Sequence, residues 1–167
     1  MIGAEWFFKH TGLGASAHLE AGGFVRSRPG IEHPNLQFPF LPSVVWDHGR
    51  VKADRHAFQV HVGPMRPTSV GRLELKSAEP NDYPLIQPNY LSTEGDRQEF
   101  RDAVRLTREI LASAAFDKYR GIEMAPGEEV RTDAEIDSYV RRKAESAYHP
   151  SCTLKMGVDK MAVVDQK

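Results

Sequence analysis

The residues best equipped for chemistry gather in AYHPSCTLKMG, residues 147–157, where a histidine, a proline and the chain's single cysteine stand within four positions. Imidazole titrates near neutrality, and a proline directly after it stiffens the loop, so His149 is a candidate acid–base group with a fixed ring direction. Ser151 and Thr153 can hydrogen-bond the loop's own backbone and hold that geometry. His149 can equally cap the carbonyls of a preceding helix, and the residues alone leave both roles open. Cys152 would act as a nucleophile only beside a base oriented by a third group, and no spacing marks such a set. It reads as a packed, neutral thiol.

Two further patterns suggest chemistry and then withdraw it. Gly12, Gly14 and Ala17 in GLGASA satisfy a loose G-x-G-x-x-A, which cradles a dinucleotide only where a helix follows the turn. Here HLEAGGF follows, and Gly22 and Gly23 come too soon for a useful helix, so a loop is expected. Of the seven histidines, His10, His18, His33, His48, His56 and His61 fall on separate segments without an H-E-x-x-H, and no metal is expected.

The elements that must position His149 are legible from periodicity. Residues 20–28 and 35–46 predict strands, the second with Leu36, Phe38 and Phe40 on one face and with Pro39 marking an edge or a bulge. AFQVHVGPM at 57–65 alternates Phe58, Val60 and Val62 against Gln59 and His61, VGRLELKS at 70–77 predicts another strand, and RPTS between them suits a hairpin connection. Together they would make an antiparallel sheet with one polar or ligand-facing side. A helix is expected from about Glu94 to Ala115, with Thr93 and Asp96 as a capping pair, and a second from Thr132 to near Ser146, opened by the capping box of Thr132 and Glu135. Strands first and helices later indicate an α+β domain.

Composition narrows the function classes. Lys and Arg total 22 against 23 Asp and Glu, with a pI near 6.7, which argues against nucleic acid as a partner. One cysteine makes no internal disulfide, so a reducing, cytoplasmic setting is expected, and neither a signal peptide nor a transmembrane segment is apparent. At 167 residues one domain is the default, although both ends resemble mid-domain sequence.

AYHPSCTLKMG followed by MAVVD resembles the C-terminal signature of the glucose-methanol-choline (GMC) flavoprotein oxidoreductases, most closely the choline-oxidising members. HLEAGGFVRSR, FQVHVGPMRPTSVGRLELKS, QPNYLSTEGDRQEFRDAVRLTREI and YRGIEMAPGEEVRTDAEID extend that likeness over essentially the whole chain. The resemblance implies that residues 1–167 form the substrate-binding domain, an antiparallel sheet flanked by helices, without the FAD-binding domain and the last C-terminal segment. It implies FAD as cofactor, choline oxidised to betaine aldehyde, and a quinone or similar electron acceptor that would place the enzyme peripherally at an inner membrane. It makes His149 the acid–base residue and Glu20, in HLEAGGF, the carboxylate facing the substrate's quaternary ammonium. Trp6, Phe7 and Phe8 would offer aromatic walls. Where choline-oxidising members carry a second active-site histidine, this chain aligns Pro39. Another GMC alcohol dehydrogenase and a noncatalytic quaternary-amine binding module are the alternatives, and the isolated chain is expected to be inactive.

Overall fold

In the computed structural model, residues 2–19, 21–149, 151–165 and 167 are described. The order is α1 (Ile2–Lys9), β1 (Ala21–Val25), β2 (Leu36–Leu41), β3 (Gln59–Val60), β4 (Gly63–Pro64), β5 (Arg72–Glu74), β6 (Leu85–Gln87), α2 (Glu94–Leu111) and α3 (Asp133–Lys143). β1, β3 and β4 all pair antiparallel with β2, and β5 with β6 forms a separate antiparallel pair. Mixed antiparallel sheet and helix is the α+β architecture that the periodicity predicts.

Alternation explains which face of the sheet is buried. Leu36 and Phe38 are buried and pack on Ala103 of α2, joined by Val25, Val60, Val62 and Leu106. The opposite face carries Phe24, Gln37, Pro39, Gln59 and His61 by the same two-residue period, with Leu41 at the strand end buried there as well. Pro39 corrects the expectation of an edge or a bulge, because β2 lies inside the sheet. Phe40 faces Val60 and Gln37 faces Gly63, so a single register runs through β3 and β4 and sets His61 across from Pro39. His61 N–H donates to Pro39 O at 3.0 Å. The return bond is the one a proline cannot give, and the partner strand is divided into β3 and β4 at that point. On the other side Gly22 faces Pro39. A Cβ there would meet Phe38 O at 2.7 Å, so only glycine allows this close approach.

The α2 helix serves two cores at once. Ala103 and Leu106 face the sheet, while Val104 packs with Leu91, Ile136 and Val140 under Phe100, Val130, Tyr139 and Ala144. Ile136 is fully buried, which contributes about 2 kcal/mol by area. Both helices are capped as the sequence predicts: Thr93 Oγ1 accepts from Asp96 N at 3.3 Å, and Thr132 with Glu135 forms the full capping box. The α2 helix ends at Leu111 and Ala114–Phe116 form a 3-10 turn, while α3 ends at Lys143, a few residues before the expected ends.

RPTS is not a hairpin connection, since β5 pairs with β6 and not with the preceding strands. Its Thr68, with the following Ser69, instead captures Asp96. The buried Asp96 carboxylate accepts from Thr68 N at 2.7 Å, Thr68 Oγ1 at 2.9 Å and Ser69 N at 2.9 Å. Ser69 Oγ in turn accepts from Ser92 N at 3.0 Å. Burial pushes the Asp96 carboxyl up, but the hydrogen bonds from Ser69 and Thr68 outweigh it and hold the carboxyl at about 2, below its ordinary 3.8. Arg101, also buried, joins Glu94, Gln98 and Asp137, the last at 2.8 Å, and so ties α2 to α3. Arg108 grips Glu123 with both Nε and Nη2 and donates to Gly127 O and Val130 O, which fastens the loop before α3.

Because the Asp96 carboxyl titrates lower in the folded state than in the unfolded, its stabilisation is complete above about pH 4 and lost as pH falls toward 2. The drop from 3.8 to about 2 corresponds to about 2 kcal/mol. Urea unfolding from pH 7 to pH 2 checks this: Asp96→Asn is expected to be about 2 kcal/mol less stable than the parent at pH 7, with the difference closing between pH 4 and pH 2.

Candidate functional site

His149 lies on the loop that leaves α3, exposed to solvent, with its following Pro150 outside the described residues. The helix stops at Lys143, five residues before Tyr148, so His149 does not cap the helix carbonyls; Ala144 N–H fills that role on Val140 O. Tyr148 and Cys152 on either side of it hold φ of 61° and 71°, left-handed conformations that cost non-glycine residues energy. Among the described residues, no hydrogen bond, ion pair or ring contact joins the His149 side chain to another side chain. Among these residues its imidazole is left facing solvent.

The segment around it is held from elsewhere in the fold. Tyr148 OH lies 3.3 Å from His48 Nδ1, and Glu145 Oε2 lies 3.2 Å from His48 Nε2. His48 sits in WDHGRV, where Trp46 and Val51 bridge and the chain turns through positive φ at Asp47, His48 and Gly49. That loop is fastened to the sheet by Val45 N–H, which donates to Gln59 Oε1 at 2.7 Å. The Gln59 NH2 donates to His61 Nε2 at 2.5 Å. The face of the sheet turned away from α2 thus carries an oriented imidazole, His61, opposite Pro39. Two of the histidines that the sequence scatters over separate segments, His48 and His61, thus have side-chain partners. The signal available for His48 was its place before Gly49 in a tight turn.

Glu20 lies outside the described residues. Cys152 is exposed rather than packed, with Sγ 3.6 Å from Ser151 Oγ, because the left-handed turn carries it outward. Trp6, Phe7 and Phe8 belong to α1, which the sequence reading did not anticipate, and they are exposed at 46%, 67% and 78%, so no aromatic wall is assembled from them here. GLGASA is the loop expected of it: Leu13–Ala15 form a single 3-10 turn and β1 follows from Ala21 without an intervening helix. The dinucleotide motif is accordingly unsupported.

A cavity of about 320 Å³ opens between the sheet and the C-terminal half of α2, bordered by Gly22, Phe38, Phe40, Ile110, Leu111 and Phe116. Phe40 and Phe116 of this lining pack in a tilted cluster with Phe58, ring centroids 5.5 to 6.1 Å apart. Its one hydroxyl, Thr107 Oγ1, is already donating to Ala103 O at 2.7 Å. Nothing in the lining can exchange a proton, so this space is apolar volume under the sheet and His149 is not part of it. Among the described residues, no three histidine, cysteine or carboxylate groups cluster to hold a metal, and no helix is long and apolar enough to cross a membrane.

Comparison with known proteins adds what the geometry does not. Residues 67–167 match the family model described as GMC oxidoreductase. Over 166 residues the chain is 62% identical to the mitochondrial choline dehydrogenase of Homo sapiens, covering 98% of this chain and 28% of that protein. It is 55% identical over 164 residues to the oxygen-dependent choline dehydrogenase of Pseudomonas fluorescens, covering 98% of this chain and 29% of that one. Among solved structures, the pyridoxine 4-oxidase of Mesorbium loti superposes with a TM-score of 0.78 at 29% identity, over 89% of this chain and 30% of that chain. The chain therefore spans less than a third of the length of the relatives it matches.

Proposed function

The chain belongs to the GMC oxidoreductase family, and from that premise we propose that residues 1–167 are the substrate-binding domain of an FAD-dependent choline dehydrogenase, converting choline to betaine aldehyde. The observation that carries this reading is the 62% identity to a choline dehydrogenase across 98% of the chain, His149 included in the matched span. The solvent-facing imidazole of His149 on a constrained loop supports it, because an alcohol becomes a competent hydride donor only as its oxygen gains negative charge.

In this reading His149 accepts the hydroxyl proton of the substrate at its imidazole. Glu20 sets its carboxylate against the trimethylammonium, which has no N–H to donate and is held by charge and by aromatic faces. FAD, when bound, supplies the acceptor for the hydride that leaves the alcohol carbon. The described residues do not themselves fit a dinucleotide, since no helix follows the Leu13–Ala15 turn to meet a pyrophosphate. The flavin cradle is thus assigned to the larger remainder of the full-length protein, and electrons leave it for a quinone or similar acceptor at a membrane surface. Pro39 favours one second reading, another alcohol as substrate, because it puts a ring without a hydrogen-bonding group on the sheet face that also carries His61.

The test uses the full-length flavoprotein that carries this segment, with an artificial dye as electron acceptor. His149→Ala is expected to lower kcat for choline by about 10²- to 10⁴-fold at unchanged flavin content. Retention of activity within tenfold would overturn the acid–base role, and oxidation of other alcohols in preference to choline would select the second reading. The 167-residue chain supplied with FAD is expected to reduce no dye. Glu20→Gln is expected to raise KM for choline at least tenfold while leaving an uncharged alcohol of similar size within twofold; equal effects on both would count against its contact with the ammonium.

A further inference from the structure

We propose that His48 is a positioning residue for His149, acting through Tyr148; the inference rests on the acid–base reading of His149. Among the described residues, the hydrogen bonds, ion pairs and ring contacts of residues 145–167 run within that segment, except those to His48. Among the described residues, His48 thus supplies, through both ring nitrogens, the polar contacts that tie this stretch to the rest of the fold. The rings of His48 and Tyr148 meet at 6.3 Å between centroids and 62° between planes.

The chemistry of the three groups suits a clamp. A carboxylate accepts only, so Glu145 favours the proton on His48 Nε2 and leaves Nδ1 to accept from Tyr148 OH. One imidazole thereby fixes two points, Glu145 and Tyr148, on the approach to His149. Tyr148 is the adjacent residue, so its backbone direction sets where the His149 ring begins. The clamp is itself anchored, because Gln59 of β3 holds the loop through Val45 N–H. Gln59 thus contacts both His61 and Val45, and three residues of backbone after Val45 carry the hold to His48 and through it to Tyr148. Asp47, His48 and Tyr148 all hold left-handed φ, so both sides of the contact stand on costly backbone.

Displacement of a reacting group by about 1 Å can cost 10²-fold in rate without touching substrate affinity. In the full-length flavoprotein, His48→Ala is expected to lower kcat for choline at least tenfold, with KM within twofold and flavin content unchanged. Tyr148→Phe is expected to match it, and the double variant to be no worse than either. His48→Gln, whose amide oxygen and NH2 reproduce the acceptor and donor, is expected to restore most of the rate. A kcat within twofold for His48→Ala, effects that multiply in the double variant, or failure of the glutamine to rescue would each overturn the proposal. A wild-type protein that oxidises no alcohol would instead remove the reading on which it rests. The clamp is then judged in the 167-residue chain from the NMR line width of the His149 ring. His48→Ala is expected to narrow it toward that of a free side chain, and an unchanged line would overturn the clamp.

Discussion

The rest of the structure depends on one buried carboxylate. Asp96 stands in the first turn of α2 and takes three hydrogen bonds from Thr68 and Ser69, so the chain entering β5 is locked to the helix start. The positive end of the helix macrodipole adds to those donors. Once its N-terminus is fixed, α2 can present Ala103 and Leu106 to the sheet and Val104 to α3 without sliding. Arg101 then sets the angle of α3 through Asp137, and Arg108 pins the loop before it. The exit of α3, and so the place of His149, follows from this sequence of attachments.

Much of this was legible in particular residues. The alternation of Leu36, Phe38 and Phe40, the stripe on α2 and the Thr132–Glu135 box are local patterns, and local patterns translate directly into backbone. Pro39 misleads because a missing N–H points to an edge or a bulge. In the sheet it costs one ladder bond opposite His61, which a central strand tolerates when the rest of the register is intact. RPTS misled for a different reason: its hydroxyls and amides were claimed by Asp96, 28 residues after Thr68, and no local rule carries that information. The pairing of β5 with β6 is likewise long-range, and β6, three residues long, has too few positions to show a period.

The site was legible in parts of unequal depth. His149 was visible because it lies before a proline and after a helix. Its supports were not, because His48 and Gln59 lie about 100 and 90 positions earlier and meet its loop only in space. Phe24, the apolar residues of α1 and several between 154 and 164 are exposed, more apolar surface than scattered single residues leave.

The measurement that bears most directly on this account is native-state hydrogen exchange, resolved by residue, on the 167-residue chain. If Asp96 makes α2 the common support, the amides of Ala103 to Thr107, of β2 and of the first turn of α3 share the slowest rates, and Thr68 and Ser69 are protected with them. If the sheet keeps its protection while α2 exchanges freely, the helix is a passenger on an independent sheet and the account of the fold is wrong.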